Sequence, residues 1–321
     1  MPTTAIDPRR FSSHRGLNRV HTFLLLGLMT AYAGFVGWLL WGVDGLWLVL
    51  LWGVGLLVFS PRISGRWVLR LYAARPVPVS GAPWLHQVLA VLASRAGLSR
   101  TPSPWWVPSS VVNAFAVGHR DDCVVAVTEG LLRTLTPREL IGVLAHEVAH
   151  IAHGDLFVMS LADVISRLTS AMSFAGLLLI LFSLPQVLTG GEVDWWPLLL
   201  LAVAPQVSLL AQLGLSRTRE FDADLSAVHL TDDPDGLASA LIKLEQVQRG
   251  GWQRIFFPGR GVPEPSWLRT HPTTEERVRR LLDLKRSASP SWPHGYDFEP
   301  PDFSRVHPRQ RPRGGWWGYW Y

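Results

Sequence analysis

Long uncharged apolar runs alternate along this chain with shorter amphipathic stretches. Residues 23–41 carry no charge over 19 positions, close to the ~20 that a helix needs to cross ~30 Å of hydrocarbon. Residues 45–59 follow a minimal turn holding Asp44, a shorter run that spans with extra residues at its ends or in a locally thinned bilayer. Residues 171–188, interrupted late by Pro185, form a third candidate. Residues 197–215, with Pro205, Gln206, Ser208 and Gln212, form a fourth. For the last two, a buried helical hairpin inside a soluble domain is the alternative.

Charges at the ends of these runs set an orientation. Arg9, Arg10, Arg15 and Arg19 precede the first run, and Arg62, Arg66, Arg70 and Arg75 follow the second, whereas the turn between has only Asp44. Arg167 precedes the third run and Arg217 and Arg219 follow the fourth, with Glu192 and Asp194 between. The positive-inside rule then puts both termini and residues 60–170 and 216–321 in the cytoplasm of a multi-pass protein of the cell membrane. No Ala-x-Ala cleavage pattern follows the first run, so it reads as an anchor rather than a removed signal.

Composition agrees. Hydrophobic residues make up 48% and charged residues 17%, against about 25% charged in soluble proteins. Mean hydropathy is +0.18 and there are 16 Trp, which excludes both a disordered chain and an ordinary soluble enzyme. The single Cys123 excludes a disulfide framework and a cysteine-cluster metal site. All basic residues except Lys243 and Lys285 are Arg, and the net charge of +5 reads as membrane flanks, so no nucleic-acid partner is expected.

Between the apolar runs, residues 84–98 have helical spacing, and residues 105–107, 111–117 and 123–128 are β-rich, the last two joined as a hairpin by residues 118–122. Thr136-Pro137-Arg138-Glu139 combines a cap, a first-turn proline and a capping-box glutamate, predicting a helix to about His153 with Gly154-Asp155 as its break. Asp233-Pro234-Asp235 opens a helix over residues 236–248, residues 250–265 read as loop, and Thr273-Thr274-Glu275-Glu276 starts a basic helix to Lys285. Residues 287–321, rich in Pro, Ser, Trp, Arg and Gly, are expected to be a disordered tail. The expected organisation is thus an N-terminal cytoplasmic segment (1–22), a membrane hairpin (23–59), a first catalytic part (60–170), a second hairpin (171–215), a second catalytic part (216–286) and the tail.

The chemistry concentrates in His146-Glu147-Val148-Ala149-His150 within the capped helix. Residues four apart share a helical face, so both imidazoles can point at one metal ion, with Glu147 placed to polarise a water. With 11 His in the chain, random placement yields only about 0.01 such matches. The apolar frame Leu140, Ile141, Val143, Leu144 and Ile151 makes this a packed helix, which does not bury two His and a Glu without a use for them. A zinc hydrolase needs a third protein ligand and one open position. Glu220, just past the fourth run, is the best candidate, and Asp224 shares its helical face and can orient a liganding histidine. His153, one turn after His150, is a rival ligand.

The chain resembles the HtpX-type membrane zinc metalloproteases, in the peptidase family that also contains the CAAX prenyl endopeptidases. The likeness covers roughly residues 20–285 and rests on Asn113-Ala114-Phe115-Ala116, the His146–His150 motif, the Glu220-to-Asp224 segment and Thr270-His271-Pro272. The resemblance implies a mainly α membrane protein with four transmembrane helices and a cytoplasmic α+β catalytic domain of the zincin (gluzincin) type with a small hairpin or sheet. It implies one zinc ion on His146, His150 and Glu220, with Glu147 as general base and Asp224 behind a ligand. Residues 113–116 would be an edge strand pairing with substrate backbone, and His271 a donor to the developing oxyanion. Substrates would be polypeptides, by similarity misfolded or damaged membrane proteins presented at the bilayer. A catalytically silent zinc-binding scaffold and an intramembrane metalloprotease are the alternatives; intact Glu147 speaks against the first, and the charged start at Arg138 and Glu139 against the second.

Overall fold

The computed structural model describes residues 8–119, 122–189, 195–250 and 274–283. The expected tail, most of the 250–265 loop, the Glu192–Asp194 turn and His271 lie outside the described residues. In chain order the elements are α1 (Pro8–Trp41), α2 (Val43–Leu71), β1 (Arg75–Pro76), α3 (Pro83–Arg95), β2 (Ser103–Val107), β3 (Ala114–His119) and β4 (Asp122–Thr128). They continue with α4 (Glu129–Thr134), α5 (Pro137–His153), α6 (Asp155–Leu188), α7 (Trp195–Thr231), α8 (Pro234–Gly250) and α9 (Thr274–Asp283). The chain divides into two compact units.

One unit takes residues 16–63 and 157–219. Gly42, at φ +62, lets α1 turn directly into α2. A Cβ on Gly37 would fall 2.8 Å from the carbonyl oxygen of Gly45, so the two backbones meet where only glycine fits. Met29, Ala33 and Val36 pack with Ala162, Ile165, Met172, Leu201 and Ala204. Polar ties inside this packing are Ser166 Oγ with Ser208 Oγ at 3.0 Å and the Ser173 hydroxyl on the Leu201 carbonyl. Phe23, Leu24, Trp47, Leu51, Phe182, Trp196 and Leu210 are left exposed, an apolar skin suited to lipid. Val20–Trp41, Asp155–Phe182 and Trp196–Thr231 are long and apolar enough to cross a membrane, while the apolar stretch Val43–Gly55 is shorter. Of four expected spans, three therefore reach crossing length among the described residues. Helices α6 and α7 also run further than the apolar runs alone suggest, to 34 and 37 residues. Pro205 sits inside α7 without ending it, as prolines do in membrane helices.

The other unit takes, among the described residues, 8–15, 64–119, 122–156, 220–250 and 274–283. Its sheet has the order β1-β2-β4-β3, with β2 parallel to β4 and the other pairs antiparallel. The hairpin expected from the sequence is the β3–β4 pair, in which Gly118 adopts φ +107 opposite Cys123. Leu85, Leu89 and Leu92 of α3, with Leu144 and Val148 of α5, cover one face of the sheet over Trp106, Val125 and Val127. Phe115, Val107 and Ala126 occupy the other face with Leu69 from the end of α2, and the Tyr72 ring lies 5.4 Å from that of Phe115.

Helix α5 is anchored at its start. Thr136 and Glu139 form a reciprocal capping box, worth about 1 kcal/mol. Glu139 also accepts from Ser239 Oγ at 2.6 Å and Lys243 Nζ at 2.7 Å, both on α8. Arg138 donates Nη2 to Asp233 Oδ1 at 2.6 Å, and Asp233 in turn accepts from the Gly236 N–H at the start of α8. A Cβ at Gly142 would lie 3.1 Å from the backbone of Leu237, so α5 and α8 cross at close range. At its other end α5 stops at Gly154, which takes the left-handed conformation and returns its N–H to His150 and Ile151.

Candidate metal centre

His146 and His150 lie four positions apart on α5, and both rings emerge on one face with Nε2 atoms 3.0 Å apart. The rings meet edge-on at 4.6 Å between centroids. Glu220, on α7, brings Oε2 to 3.3 Å from His146 Nε2 and Oε1 to 3.6 Å from His150 Nε2. Ligand atoms of these three residues all lie within 4.8 Å of one another.

The outer nitrogen of each ring is engaged by a carboxylate. His146 Nδ1 lies 3.0 Å from Asp224 Oδ1, and His150 Nδ1 lies 2.7 Å from Asp155 Oδ2. His150 Nδ1 donates to Asp155, and the Nε2 atoms of both rings face inward toward each other and toward Glu220. Such convergence of electron-rich atoms in a buried place is self-repelling until a cation occupies it, and two nitrogens with one oxygen suit zinc. The pocket's appetite for positive charge shows in the rings themselves. Burial alone would lower the pKa of His146, but its contacts with Asp224 and Glu220 outweigh this and raise it to about 10. His150 is also raised: burial and the neighbouring His146 oppose the proton, while Asp155 and Glu220 favour it more strongly.

Arg277 of α9 brings a guanidinium to two of these carboxylates. It donates Nε to Asp224 Oδ2 at 2.7 Å and Nη2 to Oδ1 at 2.6 Å, and its Nη1 lies 3.2 Å from Glu220 Oε2. Burial would weaken its charge, yet Asp224, Glu220 and, more remotely, Glu147 hold its pKa above the ordinary arginine value. One turn on, the Arg280 guanidinium lies 3.7 Å from the centroid of the Phe221 ring.

Glu147 is half-buried on α5 between the two histidines. Ala114, Phe115 and Ala116 are buried, so they offer neighbours backbone rather than side chain. Regular β3 begins at Ala114, but Asn113 still pairs with Thr128, whose N–H donates to the Asn113 carbonyl at 3.1 Å. The far edge of β3 has no strand beside it among the described residues. His153 is not part of the cluster; its Nε2 is 3.1 Å from Ser226 Oγ.

Reading the sequence assigned no role to Asp155, and for Arg277 it suggested a nearby carboxylate while leaving the role open. A buried carboxylate at the first position after the motif helix, behind a left-handed glycine, is the local signal that points to Asp155. Arg277 has none, because its partners lie 53 and 57 positions earlier in the chain.

The sequence profile of peptidase family M48 matches residues 80–285. A protease HtpX homolog of Persephonella marina is 34% identical over 284 residues, covering 84% of this chain and 98% of the relative. One from Ralstonia nicotianae is 33% identical over 293 residues, covering 85% and 98%. The crystal structure of S. mikatae Ste24p aligns with 85% of this chain and 66% of its own at 18% identity and a TM-score of 0.45, too loose a likeness to transfer detail. Profile, relatives and apolar helices converge: this chain belongs to peptidase family M48 and is a multi-pass membrane metalloprotease.

Proposed function

We propose that this protein is a zinc endopeptidase that cuts misfolded or damaged membrane proteins at the cytoplasmic face of the bilayer. The observation that carries the reading is the convergence of His146 Nε2, His150 Nε2 and Glu220 on one point, with both outer ring nitrogens already engaged. His146, His150 and Glu220 hold one zinc ion. When bound, zinc supplies the Lewis acid that brings the pKa of water toward about 7.

The remaining work falls to the chain. Asp224 and Asp155 keep Nδ1 of the two rings protonated, so that both Nε2 lone pairs stay directed inward. Glu147 takes the proton from the attacking water and passes it to the departing amine. Arg277 offsets the negative charge of Asp224 and Glu220. The outer edge of β3, from Asn113 to Ala116, binds substrate main chain by strand addition, which reads backbone more than sequence and suits varied clients. His271 donates to the oxyanion that develops as water adds. Four membrane segments place residues 60–170 and 216–286 on the cytoplasmic side, in keeping with the arginine flanks.

The test is zinc content and casein cleavage of the detergent-purified protein and its Glu147→Gln variant. One zinc per chain in both, with cleavage only in the wild type, is expected; cleavage retained by the variant removes Glu147 from the mechanism.

A further inference from the structure

His153 lies three residues beyond His150, and the mechanism above gives it no part. Its Nδ1 stands 3.7 Å from Asp222 Oδ2 and 4.0 Å from Asp155 Oδ2, while its Nε2 meets Ser226 Oγ at 3.1 Å. The side chains of His153, Asp155 and Asp222 retain 8%, 3% and 2% of their exposure, so none of these contacts is diluted by water. Asp155 Oδ2 is the same oxygen that takes the hydrogen bond of His150 at 2.7 Å. Asp222 is two positions from Glu220 along α7.

We propose that His153 is a positioning residue for the metal: its Nδ1, set between Asp155 and Asp222, fixes the carboxylate that orients His150 and braces α5 against the stretch of α7 that carries Glu220. This rests on the zinc reading above and adds a residue to it. Both carboxylates stand nearer to Nδ1 than water can dilute, at 3.7 and 4.0 Å, longer than a hydrogen bond, so the pull of a polar N–H on each is electrostatic. Without it, Asp155 is free to turn from His150, and the spacing between the imidazoles and Glu220 is set by the ion alone. The hydrogen bond to Ser226 holds the ring plane but faces away from the ligands, so the nitrogen that matters is Nδ1.

This asymmetry makes the idea testable with shape-matched amides. In His153→Asn the amide nitrogen occupies the place of Nδ1; in His153→Gln it occupies that of Nε2. Zinc dissociation constants are measured on the full-length protein in detergent by competition with a chromogenic chelator, beside the melting temperature of the chelated form. Asn should bind zinc within about threefold of wild type, whereas Gln and Ala should bind about 10- to 100-fold more weakly with melting temperatures unchanged. Equal affinity in all variants overturns the proposal. So does equal weakening of Asn, Gln and Ala with a parallel loss of melting temperature, which marks His153 as packing only. Wild type binding no zinc, or Glu220→Ala binding as well as wild type, overturns the underlying zinc assignment instead.

Discussion

Asp155 accepts a hydrogen bond from His150 Nδ1 at 2.7 Å, reaching back across Gly154 from the first position of the following helix. Residues behind a ligand typically contribute 10- to 100-fold in metal affinity by fixing tautomer and ring orientation. Asp155→Ala is therefore expected to weaken zinc binding by about one to two orders of magnitude, read by chelator competition. An unchanged affinity would mean that the ring is held by packing alone.

Glu220→Ala should leave two imidazoles and no third ligand. Zinc content measured by atomic absorption on the purified protein is expected to fall well below one per chain. Full stoichiometry in that variant would assign the third ligand elsewhere.

Arg277 answers two buried carboxylates at once. Arg277→Met leaves them uncompensated, and removal of one partner from a buried pair costs about 3–5 kcal/mol. A lowered melting temperature is expected, restored only in part by Arg277→Lys, because an ammonium cannot make the two parallel bonds to Asp224. Full rescue by lysine would show that charge alone matters there.

Glu139 binds its proton less readily in the fold than in the open chain. Burial would raise its pKa, but donation from Lys243, Ser239 and Thr136 outweighs this and lowers it from 4.5 to about 2. The unfolded chain therefore takes up the proton first, and stability from this junction is complete above about pH 4.5 and lost as pH falls toward 2. Melting temperatures across that window should fall more steeply for wild type than for Glu139→Gln. Parallel curves would place the acid sensitivity elsewhere.

Reporter fusions after Asp44 and after Asp194 should both mark the non-cytoplasmic side. A cytoplasmic signal from either would reverse one hairpin.

The pieces legible in the sequence were those whose physics is local. Thr136, Pro137 and Glu139 announce the start of α5 within four residues, and the i, i+4 spacing puts His146 and His150 on one face without reference to anything distant. The apolar runs read as helices for the same reason. What stayed hidden depends on partners far along the chain. Runs of β-forming residues mark β2 and β4 as strands but do not say that they lie side by side in parallel. The short α4, capped by Thr128, has too few residues to show a period. Pro205 suggests a weak segment, whereas α7 continues through it to Thr231. His153 looked like a rival ligand because it is one turn from His150, and only the fold shows it turned toward Asp222 and Ser226.

The left-handed glycine at 154 leaves this stretch intolerant of indels. One residue added to α5 ahead of it would swing the emerging chain by about 100° around the helix axis, carrying Asp155 away from His150. Across the ten residues from His146 to Asp155, a change in length displaces the carboxylate even where every side chain is kept.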